Sequence, residues 1–541
     1  MCLKSFYLKY SDRLISFLGF VFWPICLVVL AVVGYSLNKG LIFSDEAFYL
    51  MHLGANVHEA KFSFWSDYAN LFYPQQIVAI RVLTVSLLVL SGIVFSIGFS
   101  RFFNANFFKT ILPVSVFGVF FLWSPVCLVP NYITFNAVIF FSGLGLFLLS
   151  ISKIKKYWAF TFAILSGVVF SQLVFIMITN TPIILLLMLA YLFLCDSKSC
   201  GFRFSLFFGL GLLLGLALFF VFVIPVGQYF VQLHSANESL KYDSSHGIRD
   251  LIKWCFDTIF FAISEILVPA ILLLFLITGD KAKNLYQRGL AVLSLTIYIG
   301  LILRNDQLLN YTNITTLSPF IIVATALLLK SLFETNYKVS VLMFLFIATT
   351  ILASLGTDVK FSIRGALYVM PMVVLSVYLI KHYQLRLLLI GYIGLILFAF
   401  ARFSTEFVMT SGWQGYKMTN QTESLEGFKN SHNLKIDKEK LLILDSIKEV
   451  VPEGSIMLVS HPGLWGYVYL IKGSTPTLYF RYNEARIASY FEQTNLRPKE
   501  LYLLEATHLP FPSEMYVRNQ YSVCDTVYQN ANQALLLYRL H

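Results

Sequence analysis

Long apolar segments recur along the chain from Leu14 to Ala401. Many contain about 18 or more residues, which is the length that a helix needs to cross the hydrocarbon core of a bilayer. Because backbone polar groups in lipid must be satisfied within the segment, such segments adopt the α-helix. Charged residues make up 13% of the chain, against about 25% in ordinary soluble domains. The sequence therefore predicts an α-helical polytopic membrane protein.

About thirteen transmembrane helices are predicted from these segments. Their approximate ranges are 14–37, 78–99, 110–129, 132–151, 157–177, 181–195, 204–230, 259–277, 289–303, 312–333, 338–355, 364–380 and 385–402.

Lys and Arg residues gather in alternate loops, among them Lys153, Lys155 and Lys156 after the fourth segment. By the positive-inside rule these loops and the N-terminus are cytoplasmic, and an odd number of spans places the C-terminus outside the cytoplasm. The net charge of +11 is thus a topology signal, and no nucleic-acid partner is expected. The predicted location is a bacterial inner membrane, with the bilayer as a partner.

The composition changes near Phe403. We predict a transmembrane domain over residues 1–402, a tether over 403–436 and an extracytoplasmic α/β domain over 437–541. The elements expected in the last domain are helices at 437–451 and 484–494, strands at 455–460, 475–480 and 500–506, and a hairpin of 521–528 with 534–540.

A short acidic motif, Ser44 to Tyr49, follows the first apolar segment. Ser44 is a favourable N-cap residue, and Asp45 and Glu46 would occupy a first turn where the helix dipole stabilises negative charge. The spacing of Asp45, Tyr49 and His52 places these three side chains on one helix face. Helix capping alone also explains acidic residues at this position, so a purely structural role stays open.

With this motif in its first external loop, the chain resembles the GT-C glycosyltransferase superfamily. That superfamily includes protein O-mannosyltransferases, oligosaccharyltransferase catalytic subunits and the aminoarabinose transferase of lipid A. The resemblance implies an inverting transfer of a sugar, hexose or pentose, from a polyprenyl-phosphate donor to a lipid, glycan or protein acceptor on the extracytoplasmic face. It also implies that Asp45 is the catalytic base, with Glu46 as the second candidate or a positioning residue.

A leaving lipid phosphate needs fixed cations. Lys360 and Arg364, at the end of a predicted external loop, are the best placed, and Arg304 and Arg81 come next. Anchoring at the membrane interface is the alternative explanation for such cations. The predicted substrate-binding residues are Tyr49, His52, Arg81, His246, Arg304, Lys360 and Arg364.

No cofactor and no metal site are predicted. The external histidines form no tight ligand motif such as H-E-x-x-H, although a divalent cation stays open because relatives with diphosphate donors need one. Two other functions also stay open. One is a transporter or flippase for a lipid-linked glycan, and the other is a polymerase or ligase for such glycans. The early acidic pair and the C-terminal domain favour the transferase.

Overall fold

The structure is a computed structural model of the chain. It describes residues 20–53, 64–120, 128–177, 180–240, 253, 256, 266–279, 314–352, 368–404, 416–473, 501–508, 521–529 and 534–540. Two compact units divide the chain. The first consists of Met1–Ala31, Leu87–Ser124 and Ile133–Ser404, and the second of Val32–Ser86, Pro125–Tyr132 and Thr405–His541.

Helices account for most of the described residues up to 404. They are α1 Phe22–Ser36, α2 Asp45–Leu53, α3 Trp65–Phe72, α4 Ile77–Phe103, α5 Leu112–Gly118, α6 Tyr132–Ser150, α7 Lys156–Ile176, α8 Thr181–Leu194, α9 Lys198–Phe222, α10 Val226–Leu240, α11 Val268–Gly279, α12 Ile314–Phe333, α13 Tyr337–Leu352, α14 Met370–His382 and α15 Arg386–Ser404. A π-helical turn, Phe107–Ile111, leads directly into α5.

Within the described part of the chain, four helices are long and apolar enough to cross a membrane by length and composition, namely α4, α6, α7 and α9. The other apolar helices there are 10–17 residues long. An integral membrane protein is therefore supported, but the predicted count of about thirteen spans is not confirmed. The span predicted at 289–303 lies outside the described residues.

The span predicted at 204–230 is wrong as a single helix. The chain ends α9 at Phe222 and begins α10 at Val226. Pro225 explains the break, because proline lacks the N–H for an intrahelical bond and its ring clashes with the preceding turn. The apolar run continues through this point, so hydropathy alone did not show the interruption.

Close helix contacts in the first unit depend on small residues. A Cβ atom added at Gly167 of α7 would collide with the carbonyl of Phe208 in α9, and one at Gly211 with the carbonyl of Ile164. Such pairing is typical of membrane helices, where lipid is as apolar as the side chains and close backbone packing favours association. The glycines thus allow α7 and α9 to pack directly against each other.

The second unit contains a four-stranded sheet in the order β3-β4-β6-β5. This part of the unit begins with a short antiparallel pair of strands, β1 Glu423–Ser424 and β2 Lys435–Ile436. The elements that follow are α16 Lys438–Val450, β3 Ile456–Val459, α17 Trp465–Leu470, β4 Leu501–Ala506, β5 Tyr521–Gln529 and β6 Ala534–Leu540. Strand β3 runs parallel to β4, and β6 runs antiparallel to both β4 and β5.

This sheet confirms the strands predicted at 455–460 and 500–506 and the hairpin of 521–528 with 534–540. The helix predicted at 437–451 is also confirmed as α16, and the Asp437 side chain caps it by accepting a hydrogen bond from Lys440 N at 2.9 Å. The strand predicted at 475–480 and the helix at 484–494 lie outside the described residues.

One boundary between the two compact units falls between Ser404 and Thr405, close to the predicted boundary at 402, and none falls near 436. The predicted division into domains stays a prediction. The described part of the expected tether contains the β1–β2 pair and the buried side chains of Tyr416, Met418, Leu425 and Leu434. This segment is therefore packed within the second unit.

The first loop, residues 38–77, belongs to the same unit as the C-terminal sheet. At its start, Gly40 N donates to the Lys435 carbonyl at 2.7 Å and Lys435 N donates to the Asn38 carbonyl at 2.8 Å. At its end, Ile77 N donates to the Asn430 carbonyl at 3.0 Å. Both ends of the first loop are therefore held by one segment that precedes α16.

Candidate active site

The acidic motif forms the start of α2, as the sequence predicts. The helix begins at Asp45, and Phe48 N donates to the Ser44 carbonyl at 2.9 Å. Leu50 and Met51 are buried and anchor its opposite side. The motif is thus held on a rigid element within the second unit.

Glu46 is buried in an ion pair with Arg81 of α4. Each side chain is about 1% exposed, and Arg81 Nη2 lies 2.7 Å from Glu46 Oε2. A second bond, from Arg81 Nε to Glu46 Oε1, is also 2.7 Å long, so the pair is bidentate. Glu46 Oε2 further accepts a hydrogen bond from Ile42 N at 3.0 Å. Both carboxylate oxygens of Glu46 are therefore engaged inside the protein.

Arg81 donates its remaining hydrogen bonds to the first loop. Nη1 donates to the carbonyls of Leu37 at 2.9 Å and Lys39 at 3.3 Å, and Nη2 donates to that of Gly40 at 2.8 Å. A guanidinium has five N–H donors, and the five bonds from Arg81 match that number. This side chain clamps the first loop around Glu46.

Asp45 differs from its neighbour because it is half-buried, whereas Glu46 is buried. Tyr49 is buried between Trp65 and Tyr132, with ring centroids at 5.5 and 6.1 Å. His52 is half-buried. Of the two acidic residues in the motif, Asp45 is the one that retains access from outside the protein.

The ring of His52 is fixed by its own helix. Its Nδ1 donates to the Phe48 carbonyl at 2.9 Å, and because a carbonyl only accepts, the neutral ring carries its proton on Nδ1. The same ring lies 4.4 Å from that of Phe48 and 6.1 Å from that of Trp65. The neutral imidazole therefore keeps Nε2 as its acceptor.

Helix α17 packs directly against the acidic motif. Gly466 N donates to the Phe43 carbonyl at 2.8 Å, and the Phe43 and Tyr467 rings meet edge to face at 4.6 Å. Phe48 packs on Trp465 with ring centroids 5.5 Å apart. Residues on both sides of Asp45 thus contact the C-terminal sheet region.

Lys440 contacts Phe43, beside the acidic motif, and the sequence alone did not indicate this contact. Its ammonium lies 4.8 Å from the centre of the Phe43 ring and 5.3 Å from that of Tyr416, while Nζ is 3.8 Å from Asp437 Oδ2. Burial lowers the pKa of Lys440, and the charges of Asp437 and Glu439 oppose that shift. A cation between two aromatic rings therefore connects the motif to the start of α16.

The contact between α17 and the motif leads to a stability prediction. A Cβ atom at Gly466 would collide with the Phe43 ring, so Gly466→Ala should destabilise the second unit by about 1–3 kcal/mol, as overpacking does. Thermal unfolding of the full chain in detergent measures this. Gly391→Ala is the matched control, because no atom lies within 4 Å of a Cβ added there. Equal melting temperatures for Gly466→Ala and the parent would contradict the packing described.

The structure brings five of the predicted site residues into one unit: Asp45, Glu46, Tyr49, His52 and Arg81. The other four, His246, Arg304, Lys360 and Arg364, lie outside the described residues. Among the residues that the structure describes, no group of three or more His, Cys, Asp or Glu side chains could hold a metal ion. The expectations about a metal and about the phosphate-binding cations therefore stay predictions.

No family model matches the sequence, and no curated protein matches it. The comparison with solved structures found two of an oligosaccharyltransferase from Archaeoglobus fulgidus. One, a complex with zinc and sulfate, is 11% identical, has a TM-score of 0.47, and is aligned over 89% of this chain and 67% of its own. The other, tethered by a disulfide bond to an acceptor peptide with the NVT sequon, is 12% identical with a TM-score of 0.43 over 90% and 69%. Because both scores are low, the function proposed below rests on this chain's own residues.

Proposed function

We propose that this chain is a GT-C type glycosyltransferase that moves a sugar from a polyprenyl phosphate to an acceptor on the extracytoplasmic face. One observation carries the proposal. Two adjacent carboxylates begin α2, and the burial of Glu46 in its ion pair leaves Asp45 as the accessible carboxylate. Asp45 is therefore the carboxylate that we propose takes part in the reaction, on a helix that Glu46 and Arg81 hold in place.

In the proposed reaction Asp45 accepts the proton of an acceptor hydroxyl. The hydroxyl oxygen forms a bond to the anomeric carbon of the sugar from the side opposite the phosphate. The bond between that carbon and the phosphate oxygen breaks, its electron pair stays on the phosphate, and the anomeric configuration inverts. General bases of this kind commonly contribute about 10²–10⁴-fold to the rate.

The developing charge on the lipid phosphate needs cations. We propose Lys360 and Arg364 for this role, followed by Arg304, with Tyr49, His52 and His246 as further substrate contacts. Arg81 leaves the phosphate-binding set, because all five of its N–H groups already donate to Glu46 and to first-loop carbonyls. We propose that Arg81 and Glu46 are positioning residues that fix the orientation of α2.

The proposal is tested with purified full-length protein in liposomes that contain a polyprenyl-phosphate-linked sugar and membrane-derived acceptors. Mass spectrometry then follows the donor lipid. A transferase releases free polyprenyl phosphate as sugar leaves, whereas a flippase leaves the donor intact and moves it between leaflets. In parallel liposomes that contain a polyprenyl-diphosphate-linked glycan, a polymerase or ligase that uses such donors releases polyprenyl diphosphate. Transport of uncleaved donor, or release of the diphosphate alone, would overturn the proposal.

Orientation is a separate proposal, with the N-terminus in the cytoplasm and the C-terminal sheet region outside it. The one-sided placement of loop Lys and Arg supports it. In a background without native cysteines, Glu449→Cys in α16 should react with an impermeant thiol reagent in intact cells, because residue 449 is exposed. Lys155→Cys, also exposed, is the matched control and should react only after permeabilisation. The reverse pattern would contradict the orientation and the proposed location of Asp45.

A further inference from the structure

The second unit contains a cleft of about 670 Å³ beside the acidic motif. Its lining residues include Tyr416, Gln421, Glu439, His461, His508 and Tyr528. They come from separate parts of the chain, namely the segment before β1, the start of α16, the turn after β3, and the ends of β4 and β5.

The cleft adjoins the motif through shared side chains. Tyr467 and Lys440 line the cleft, and both contact the ring of Phe43, which lies two residues before Asp45. These side chains would therefore lie between a ligand in the cleft and the start of α2.

Gln421 contributes a buried hydrogen-bond acceptor to the lining of the cleft. Its side chain is about 1% exposed, and Nε2 donates to the Lys417 carbonyl at 3.0 Å. Since a carbonyl accepts and never donates, this bond fixes which end of the amide is nitrogen. Among the described residues, no hydrogen-bond partner reaches the buried Oε1 atom of Gln421. A buried acceptor left unsatisfied costs about 1–3 kcal/mol, which a ligand hydroxyl would recover.

Charges of both signs line the cleft, and two of its acids are already engaged. Asp437 caps α16 and pairs with Lys440, while Glu439 accepts a hydrogen bond from the hydroxyl of Tyr528. Lys417 and Lys438, which are exposed, line the cleft as well. The tyrosine rings, the amides and the buried acceptor of Gln421 fit a ligand that carries hydroxyl groups.

A histidine of the cleft can also bind a hydroxyl group. Gly463 N donates to His461 Nδ1 at 3.0 Å, which makes Nδ1 an acceptor. Partial burial lowers the pKa of His461, and His508 lowers it further. The neutral ring of His461 then carries its proton on Nε2, which can donate to a hydroxyl oxygen.

We infer that this cleft binds a hydroxyl-rich glycan segment of the donor or the acceptor, next to the site of sugar transfer. The inference rests on the proposed function for the origin of the glycan. It rests on the cleft's own geometry for the chemical class of the ligand.

Binding is measured by saturation-transfer difference NMR on the full chain in nanodiscs, with defined neutral hexose oligosaccharides as probes and inorganic phosphate as the charged comparison. The parent should bind at least one oligosaccharide in preference to phosphate. Gln421→Leu should weaken that binding by about 3–10-fold, which corresponds to one neutral hydrogen bond. His508→Ala, at an exposed position, should also weaken it and does not depend on a buried substitution. Gln529→Ala, at an exposed position at the end of β5, is the control and should bind as the parent does.

Two competition measurements identify the source of the glycan. Displacement of the bound oligosaccharide by polyprenyl-phosphate sugar assigns the cleft to the donor, and displacement by membrane-derived acceptor assigns it to the acceptor. Binding of phosphate alone, no oligosaccharide binding, or parental binding by both cleft variants would overturn the inference. Oligosaccharide binding without any sugar transfer would sustain the cleft and reject the proposed function, so the two failures are distinguishable.

Discussion

Replacing Asp45 with Asn should reduce sugar transfer by about two orders of magnitude or more, because the variant loses the group that accepts the acceptor proton. The substitution keeps the size of the side chain and its place in the first turn of α2. Loss of the favourable dipole interaction should cost only about 0.3–1 kcal/mol, so protein levels should stay near those of the parent. The measurement is transfer in membranes, normalised to the amount of folded protein.

Asp445→Asn is the matched control, since Asp445 is an exposed acid in α16 and does not line the cleft. It should transfer sugar at the parental rate. Asp45→Glu keeps a carboxylate but shifts it by one methylene, so it should fall between the parent and Asp45→Asn. Parental activity in Asp45→Asn would remove Asp45 as the base. If Asp45→Asn were active and a folded Glu46→Gln protein were inactive, Glu46 would be the base instead.

Breaking the ion pair between Glu46 and Arg81 should have the largest effect on stability. Glu46→Gln leaves the buried Arg81 charge without its counter-ion, and removal of one partner from a buried pair typically costs about 3–5 kcal/mol. We expect lower expression and a lower melting temperature in detergent, with faster amide exchange in α2. Arg81→Gln should be at least as damaging, because the carbonyls of Leu37, Lys39 and Gly40 also lose their donor.

The double variant measures the interaction between Glu46 and Arg81 apart from the other contacts of each side chain. Glu46→Gln with Arg81→Gln should destabilise by less than the sum of the two single changes, since residues in direct contact couple. The matched control is Glu453→Gln, which breaks the largely exposed pair of Glu453 with Lys472 and should cost at most about 1 kcal/mol. Additive effects of the two single changes, or a loss no greater than that of Glu453→Gln, would contradict the clamp.

Elements with local signals were predictable from the sequence. The span predicted at 132–151 is α6, the helix predicted at 437–451 is α16, and the hairpin of 521–528 with 534–540 is β5 and β6. Apolar segments and caps such as Asp437 set these boundaries through neighbouring residues. The helical start at Asp45 was predictable for the same reason.

Pairing across the chain was not predictable in the same way. Glu46 and Arg81 were both candidate site residues, but nothing local shows that side chains 35 positions apart bind each other. Their burial turns a suspected phosphate-binding cation into a structural clamp. The cleft lined by Gln421, His461 and His508 depends on the order of strands in the sheet, which one sequence does not specify.

The most direct test of the central claim is an experimental structure of the Asp45→Asn protein in nanodiscs with a polyprenyl-phosphate sugar bound. A base must lie within about 2.6–3.2 Å of the acceptor oxygen, and that oxygen must lie about 3–3.5 Å from the anomeric carbon. We therefore expect the side chain at position 45 within about 7 Å of the anomeric carbon, on the side opposite the phosphate. A donor bound with that carbon well beyond this distance, or with the phosphate between the two, would contradict the role of Asp45.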